Sequence, residues 1–253
     1  MSIYKICFSP AGGTEKVSGL LAKELGQDYE NIDLTDRRTD FSRITLTCAD
    51  TAVIAVPSYS GRVPAPAAGR ISRIQGNGAK AIIVCVYGNR AYEDTLAELQ
   101  DTVQQSGFTV IAAVAAIAEH SIARRFAAGR PDKEDYAHLK EFADRISEKL
   151  DRGDFTLPAI PGNRPYRKAG GTGVVPEATG RCTGCGICAS QCPVGAIDSD
   201  NPKKIDKDIC ISCMRCVSVC PHNARKVNGL LLAAVNLMLK KVCSDRKECE
   251  LFI

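Results

Sequence analysis

The sequence lacks the features that mark several large classes of protein. No window reaches the roughly 18 uninterrupted apolar residues of a membrane span, and the N-terminus lacks the basic-then-apolar layout of a signal peptide. We therefore expect a cytoplasmic protein without a membrane span. No block of Lys and Arg and no base-stacking motif indicates a nucleic-acid partner, although the formal net charge is +4.

Patterns typical of hydrolytic or acid–base catalysis are missing as well. No Ser/His/Asp set and no pair of carboxylates stands out along the chain. The histidines, His120, His138 and His222, have no partner pattern around them, so we expect all three to be structural.

The segment "FSPAGGT", residues 8–14, is a glycine-containing loop without a nucleotide-binding signature. It does not continue into the G-K-S/T of a Walker A loop, and G-x-G-x-x-G is absent too, so nucleotide hydrolysis and dinucleotide binding are disfavoured. The loop lies between an apolar run and a helical pattern, where hydroxyls and amides can surround an anion at a helix N-terminus. We interpret it as a site for a phosphate monoester; the alternative is a plain strand-to-helix turn.

Cysteine, in contrast, is abundant: the chain has 13 cysteines in 253 residues, and eight of them lie between 182 and 220. In a cytoplasmic chain this density indicates metal ligation rather than a disulfide framework. The eight form two runs, "CTGCGICASQCP" and "CISCMRCVSVCP", which repeat after 28 residues. Both read C-x2-C-x2-C-x3-C-P, a spacing in which three cysteines hold one 4Fe–4S cluster and the fourth ligates the other cluster. Structural zinc is the alternative, but its cysteine pairs usually stand farther apart.

This cross-ligation assigns the eight cysteines to two clusters. Cluster I takes Cys182, Cys185, Cys188 and Cys220, and cluster II takes Cys192, Cys210, Cys213 and Cys216. The other five are not expected to be ligands: Cys7, Cys48 and Cys85 lie in or near apolar runs and are predicted to be buried, whereas Cys243 and Cys249 could form a redox pair but are expected to be idle.

Residues 1–150 alternate between apolar runs and helical patterns. Runs at 3–8, 29–34, 51–56, 79–87 and 109–118 predict five strands. Patterns at 15–25, 66–74, 94–105 and 132–150 predict helices. Such alternation indicates a parallel sheet with helices on both faces.

Three further segments follow this α/β domain, which we place at 1–150. Residues 151–180 hold six glycines and four prolines and predict a linker arm, which Phe155, Leu157, Ile160 and Tyr166 could hold to a surface. Residues 181–228 contain the cysteine repeat. Residues 229–253 predict a C-terminal docking or core helix, too short to span a bilayer, and a tail.

Two parts of the chain resemble known families. Over about residues 175–228 the duplicated cysteine runs resemble the bacterial two-cluster ferredoxins. The first 150 residues resemble flavodoxins, whose phosphate loop reads roughly Ser/Thr-x-Thr-Gly-x-Thr; Ser9, Ala11, Gly12, Gly13 and Thr14 fall on it, with Ala11 lacking the usual hydroxyl. The whole chain resembles the fused flavodoxin–ferredoxin proteins of anaerobic bacteria.

The resemblance implies a fold and a set of cofactors. We expect a doubly wound, five-stranded parallel sheet in the order 2-1-3-4-5, followed by a small α+β ferredoxin-like domain with two 4Fe–4S clusters. It also implies FMN, whose phosphate the loop at 9–14 would hold. The anionic clusters and phosphate would offset much of the positive net charge.

Two more loops at the same edge of the sheet would flank the flavin ring. They comprise Pro57, Ser58, Tyr59, Ser60, Gly61 and Arg62 after the third strand, and Tyr87, Gly88, Asn89 and Arg90 after the fourth. By the same resemblance, Gly61 would allow the peptide beside the flavin to reorient. Tyr59 would stack on the ring or simply pack. Arg62 and Arg90 would stabilise reduced flavin or be solvated surface residues.

The implied function is electron transfer between two 4Fe–4S clusters and FMN, with ferredoxin- or flavodoxin-dependent redox proteins as partners. An alternative is an iron–sulfur flavoenzyme that reduces a small acceptor such as a quinone or a flavin. A third class, a cluster-based redox or iron sensor, has no DNA-binding motif to support it. The sequence leaves the oligomeric state unknown.

Overall fold

The computed structural model describes residues 2–171 and 173–253. Its N-terminal part contains the five predicted strands, all parallel and in the order β2-β1-β3-β4-β5. They are β1 (Ile3–Cys7), β2 (Glu30–Asp33), β3 (Thr51–Pro57), β4 (Lys80–Tyr87) and β5 (Thr109–Ile117). The predicted doubly wound order 2-1-3-4-5 is confirmed.

Helices cover both faces of this sheet. They are α1 (Gly13–Leu25), α2 (Ala65–Ile71), α3 (Thr95–Gln105) and α4 (Lys133–Asp151). Because α1 contacts α4 while α2 contacts α3, the helices form two layers with the sheet between them. The central strands are therefore buried on both sides, as their uninterrupted apolar sequences require.

The predicted helix near Asp132 begins at Lys133, and its start is set by a capping box. The Asp132 carboxylate accepts hydrogen bonds from the amides of Glu134 (3.1 Å) and Asp135 (3.2 Å), and Asp135 accepts one from the amide of Asp132 (2.8 Å). These contacts satisfy amides that the first turn of a helix leaves without partners. The sheet face of α4 buries Leu139, Phe142 and Ile146.

The sheet has a sixth strand that the sequence did not predict. β8 (Glu250–Phe252), at the end of the tail, pairs antiparallel with β5, with Val114 opposite Leu251. A strand of three residues is too short to show the alternation by which strands are recognised. The five-stranded expectation is therefore corrected to five parallel strands with one antiparallel strand at the edge.

The C-terminal helix α7 (Gly229–Cys243) exists, but the core alternative for it is wrong. Only Leu239 and Cys243 of this helix are buried, against Ala123 and Phe126. On the opposite side Leu230 remains 85% exposed. In the described residues no helix is both long and apolar enough to cross a membrane.

The arm at 151–180 is attached to the α/β domain mainly by polar contacts along α3. Arg164 forms an ion pair with Asp101 (2.7 Å), and the amide of Asn163 donates to Asp94 (2.8 Å). Of the four anchors predicted for the arm, Phe155 and Leu157 are exposed, although the Lys80 ammonium lies 4.8 Å from the centre of the Phe155 ring. Ile160 packs at the edge of the core, and the Tyr166 hydroxyl donates to Asp101.

The cysteine repeat folds as two equivalent halves. The short helices α5 (Ile187–Ser190) and α6 (Arg215–Ser218) lie 28 residues apart, and β6 (Glu177–Ala178) pairs antiparallel with β7 (Arg225–Lys226). Left-handed backbone conformations recur at the same spacing: at Gly184, Gly186 and Gly195, and again at Ser212, Met214 and Asn223. The structure thus preserves the internal repeat even where the second copy has no glycine.

Candidate functional site

The loop at 9–14 leaves a set of amides open at the start of α1. Gly12 has a φ of +93°, which glycine adopts without strain, and a Cβ at this position would meet no atom within 4 Å. The Ser9 hydroxyl accepts a hydrogen bond from the amide of Glu15 (2.8 Å). In the part of the chain that the structure describes, the amides of residues 11–14 donate to no protein acceptor. Four free amides at a helix N-terminus form a cradle that fits a phosphate.

Close packing explains the second glycine of this loop. A Cβ on Gly13 would lie 2.9 Å from the Cβ of Ala118, which follows β5. The start of α1 therefore reaches the edge of the sheet only because this side chain is absent. Thr14 is buried beside it, while Ala11 is exposed, so a larger side chain can be accommodated at position 11.

The loop after β3 is a tight hairpin turn. Tyr59 and Arg62 exchange backbone hydrogen bonds of 3.0 and 3.1 Å, and Ser60 and Gly61 between them both have positive φ. This is the backbone of a type I′ turn, in which glycine is favoured at the second central position. Ser58, after Pro57, anchors the turn through its amide to Val86 O (2.8 Å) and its hydroxyl to that of Thr95 (2.8 Å).

Neither predicted flavin arginine has a free guanidinium. Arg62 donates to both carboxylate oxygens of Glu98, at 2.6 and 2.8 Å, and stacks on the Tyr166 ring. Arg90 donates to both oxygens of Glu93, at 2.7 and 2.5 Å. The alternative of a solvated surface arginine is wrong for Arg62, whose charge Glu98 balances, whereas Arg90 remains 34% exposed and shares Glu93 with Arg167.

The loop after β4 is closed by the protein's own tail. The buried side chain of Asn89 donates to Cys243 O and Asp245 O, both at 2.8 Å, and Lys247 donates to Arg90 O. Gly88 is required because a Cβ there would lie 2.7 Å from the His120 ring. Tyr87 packs edge-on against Tyr92 rather than projecting from the loop. The polar groups of this loop are therefore used within the chain.

The four cysteines assigned to cluster I surround one open cavity, which we call cavity I. Its wall includes Cys182, Cys185, Cys188 and Cys220, together with Pro202, His222 and Arg225. Cys185 is exposed, and Cys182 and Cys220 are partly exposed. Cavity I therefore opens toward solvent. His222 is exposed at its rim, a position that the sequence did not indicate.

The four cysteines assigned to cluster II surround a second cavity, which we call cavity II. Its wall includes Cys192, Cys210, Cys213 and Cys216, together with Ile197, Met214 and Arg215. Cys192, Cys213 and Cys216 are buried. Burial raises the pKa of the Cys213 and Cys216 thiols to about 12, so these two need a bound metal to ionise at neutral pH.

Both cavities offer hydrogen bonds to sulfur as well as thiols. The amide of Ala196 donates to Cys192 Sγ (3.3 Å), and that of Ala224 donates to Cys220 Sγ (3.2 Å), 28 residues later. Such bonds stabilise cluster-bound thiolate and adjust its potential. Within the described ranges no three His, Cys, Asp or Glu side chains converge closely enough for a single metal ion. The two sets of thiols fit clusters.

Cavity II lies on the side of the cysteine repeat that packs against the α/β domain. Arg215 donates to Pro10 O in the loop at 9–14 (3.3 Å), and Arg70 donates to Pro193 O (2.5 Å). Ile211 packs on the main core. The hydroxyl end of Tyr59 is enclosed there: burial raises its pKa well above the usual value, and Cys213 raises it further. The contacts bring the turn after β3 close to cavity II.

The cysteines outside the two cavities differ in burial. Cys7 and Cys85 are buried as predicted, and burial raises the pKa of Cys7 to about 12. Cys48 is exposed, so its prediction is wrong; it lies in the turn before β3 rather than in a strand. Cys243 and Cys249 are free thiols that pack in separate apolar clusters.

His120 and His138 both make contacts within the fold. Nδ1 of His120 accepts hydrogen bonds from the amides of Ile122 (3.2 Å) and Ala123 (3.1 Å), and burial lowers its pKa, so a structural role is confirmed. His138 stacks on Phe142 beside Glu248, also in a structural position.

Comparison with known proteins gives separate matches to the two parts of the chain. Residues 181–224 match the family of the 4Fe-4S dicluster domain. Among solved structures, a Streptococcus pneumoniae TIGR4 flavodoxin is 19% identical and aligns over 58% of this chain and 99% of its own, with a TM-score of 0.43. A flavodoxin from the domain Archaea is 12% identical over 60% of this chain and 99% of its own, also at 0.43. No curated protein sequence matches the chain.

The N-terminal sheet thus has the strand order of flavodoxin-like folds, and the C-terminal repeat is a 4Fe–4S dicluster domain. The expected combination of a flavodoxin-like and a ferredoxin-type domain in one chain is confirmed. This combination supports a redox role in electron transfer.

Several residues of this region carry no signal in the sequence. Arg70 and Arg215 join the two domains, and Glu93 and Glu98 pair with the arginines of the loops after β4 and β3. The sequence gives no signal for these contacts, because the two contacting residues are far apart along the chain or lie in segments without a motif. Only Arg225 could have been noticed, because the repeat places it where the first copy has Ile197.

Proposed function

We propose that the protein relays single electrons between two 4Fe–4S clusters and FMN, and exchanges them with other redox proteins. The clusters are held by Cys182, Cys185, Cys188 and Cys220 in cavity I, and by Cys192, Cys210, Cys213 and Cys216 in cavity II. Iron–sulfur clusters move one electron at a time, whereas flavin takes up one or two, so such a chain links the two kinds of chemistry. The residues of the chain bind these cofactors and set their order and the distances between them.

The observation that carries this proposal is the opposite exposure of the two cavities. Cavity II is walled by buried cysteines and packs against the phosphate loop through Arg215, while cavity I presents the exposed Cys185. An electron can therefore occupy an inner site, the cluster in cavity II beside the flavodoxin-like domain, and an outer site, the cluster in cavity I at the surface. This arrangement favours a relay to an external redox protein over an enzyme with its substrate pocket above the flavin.

The residues for FMN divide into a phosphate part and a ring part. The free amides of residues 11–14 and the hydroxyls of Ser9 and Thr14 would hold the phosphate. Turn 58–61 would contact the ring, with Tyr59 on the side of cavity II. Arg62 would add no free charge, because Glu98 pairs with it, whereas Arg90 shares the single carboxylate of Glu93 with Arg167.

A reconstitution followed by an anaerobic reductive titration tests the relay. We expect about eight irons per chain in two clusters, one bound FMN, and separate reduction of clusters and flavin by EPR and visible absorbance. Iron near eight without bound flavin would contradict the FMN part alone. Iron near four or zinc in place of iron would contradict the two-cluster part.

The role of cavity I as the outer cluster site is tested separately by measuring electron exchange with an added bacterial ferredoxin. Thr183, between two ligands of cavity I, is exposed. A Thr183→Arg substitution should slow electron exchange with the added ferredoxin while iron and flavin content stay unchanged. Thr39→Arg, an exposed threonine on the α/β domain, is the matched control. Equal rates for both variants and the parent would contradict partner docking at cavity I.

A further inference from the structure

A buried guanidinium lies beside the cysteines of cavity I. Arg225, on β7, is only 2% exposed and forms part of the cavity wall. Its Nη2 lies 3.8 Å from Cys188 Sγ and also donates to Pro202 O, and its Nη1 donates to Pro176 O at 3.4 Å. Its Nε is buried without a hydrogen-bond partner among the described residues.

The charge of Arg225 is not balanced by a carboxylate. Within the described part of the chain, no Asp or Glu forms an ion pair with it. A buried charge without a partner is costly, so a compensating negative charge must lie close by. The candidates are the thiolates of cavity I, because Nη2 of Arg225 contacts Cys188 Sγ and the side chain forms part of that cavity's wall.

The internal repeat shows that this cation belongs to one half only. The residue 28 positions earlier is Ile197, which is buried in the wall of cavity II. The amides of Ala196 and Ala224, just before these positions, make equivalent bonds to sulfur. The two sites therefore share their backbone contacts and differ at this side chain, with a cation in one and an alkyl group in the other.

Cavity II has an arginine of its own, but it is placed differently. Arg215 is half-buried, and its guanidinium donates to Gln191 Oε1 (2.8 Å) and to Pro10 O (3.3 Å). In the described chain the guanidinium of Arg215 forms no hydrogen bond with a cysteine sulfur. Solvent near the domain boundary screens its charge more than that of Arg225.

We propose that Arg225 is a tuning residue that makes cluster I the more easily reduced of the two clusters. A cluster gains one negative charge when it takes up an electron, and a buried cation in contact with its ligand stabilises that reduced state. Arg225 lies in the wall of cavity I and not among the residues that line cavity II, where Ile197 takes the equivalent position, so its charge stabilises the reduced state of cluster II less. The inference rests on the proposed two-cluster function and adds a direction: an electron arriving at the inner cluster moves on to the outer one.

Arg225→Met tests the proposal in the full-length, cluster-loaded protein. Methionine keeps an unbranched apolar stem, and replacing a buried charge by an apolar group of similar volume is often tolerated. Potentiometric titration followed by EPR should show the equilibrium between the clusters shifted at least about tenfold toward cluster II, or about 59 mV for one electron. Arg225→Lys, which keeps the charge, should shift it less. The two signals are told apart with Cys185→Ser, which changes only the cluster held in cavity I.

Iron content separates failure of this inference from failure of the proposed function. An Arg225→Met protein with the full iron content and unchanged potentials would overturn the tuning role and leave the two clusters standing. Equal shifts of both clusters would also overturn it. A parent protein that does not bind about eight irons would instead overturn the two-cluster function. If Arg225→Met loses iron, Arg225→Gln is titrated in its place under the same criteria.

Discussion

The two domains of this chain are stabilised in different ways. The flavodoxin-like domain has a continuous apolar core in which strands such as β4 are buried along almost their whole length. The apolar core of the ferredoxin-type domain is small, and half of its fully buried members are cysteines: Cys188, Cys192 and Cys216 beside Ala189, Ala196 and Ile197. A core of this size cannot offset the entropy of ordering the chain, so its cofactors must contribute.

This difference predicts which domain survives loss of its cofactor. The flavodoxin-like domain can hold its sheet without FMN, because the phosphate cradle is a feature of the backbone at the start of α1. The ferredoxin-type domain places eight thiols around two cavities, and without iron the cavities have nothing to fill them. Binding free energy is folding free energy in such a domain.

The largest effect should follow removal of iron. Anaerobic chelation is expected to unfold residues 181–228 while the parallel sheet persists, because only the former depends on bound metal. Hydrogen exchange measured by mass spectrometry should show full loss of protection in α5 and α6 and retained protection in β3–β5.

Cysteine substitutions provide the matched test of that result. Cys213→Ser removes a buried thiol of cavity II and should reproduce the loss of protection in part, together with loss of iron. Cys48→Ser removes an exposed cysteine outside both cavities and should do neither. Retained protection of α5 and α6 after complete iron removal would show that the small core is sufficient.

A core truncation in the other domain should give the converse result. Ile83, in the middle of β4, is fully buried, so Ile83→Ala should lower the free energy of unfolding of the flavodoxin-like domain by about 2–5 kcal/mol. Iron content should not change. Ile209→Ala, at an exposed isoleucine of the cysteine repeat, is the control and should cost less than about 0.5 kcal/mol in denaturant titration. A parallel loss of iron in Ile83→Ala would show that the two domains fold as one unit.

The arm between the domains should depend on one buried carboxylate. Asp94 accepts hydrogen bonds from the amides of Asn163 (2.8 Å) and Arg167 (2.7 Å), and these lower its pKa. Asp94→Ala should expose 161–171 to limited proteolysis and lower stability by about 1–3 kcal/mol. Asp154→Ala, whose partner Thr156 is local and exposed, should have little effect.

The direction of its pH dependence follows from the same contacts. Because the pKa of Asp94 is lower in the folded state, its contribution is complete above the unfolded value of about 4 and disappears as the pH falls through the folded value. Proteolysis of the arm in the parent should therefore increase only in acid, whereas Asp94→Ala should be cleaved equally at all pH values where the protease is active. Equal acid sensitivity of parent and variant would contradict this role.

Sequence reasoning succeeded where a pattern is local and repeated. The five parallel strands are set by apolar runs such as 79–87, and the two cysteine sets by a spacing that occurs twice. The left-handed positions Ser212 and Met214 could also have been read from Gly184 and Gly186 one repeat earlier. In each case residues that are close together in the sequence determine the strand, the ligand set or the backbone conformation.

It failed where contacts join distant segments. The strand β8 has three residues and no periodicity, and its partner β5 lies more than 130 residues earlier. The carboxylate that pairs with Arg62 belongs to Glu98, 36 residues later in α3, and Asn89 is held by tail carbonyls. The exposed Cys48 shows the same limit, since an apolar neighbourhood in sequence does not require burial in space.

The smallest predicted effect concerns the one residue that departs from the flavodoxin phosphate loop. Ala11 is exposed at the mouth of the cradle, so threonine should fit there without disturbing Gly13 or Ala118. The added hydroxyl should supply a hydrogen bond to phosphate worth about 1 kcal/mol, which is about a fivefold tighter Kd for FMN. Quenching of flavin fluorescence measures it. Ala11→Val has the same shape without the hydroxyl and should not tighten binding; equal affinities for the two variants would mean that the phosphate does not lie in this loop.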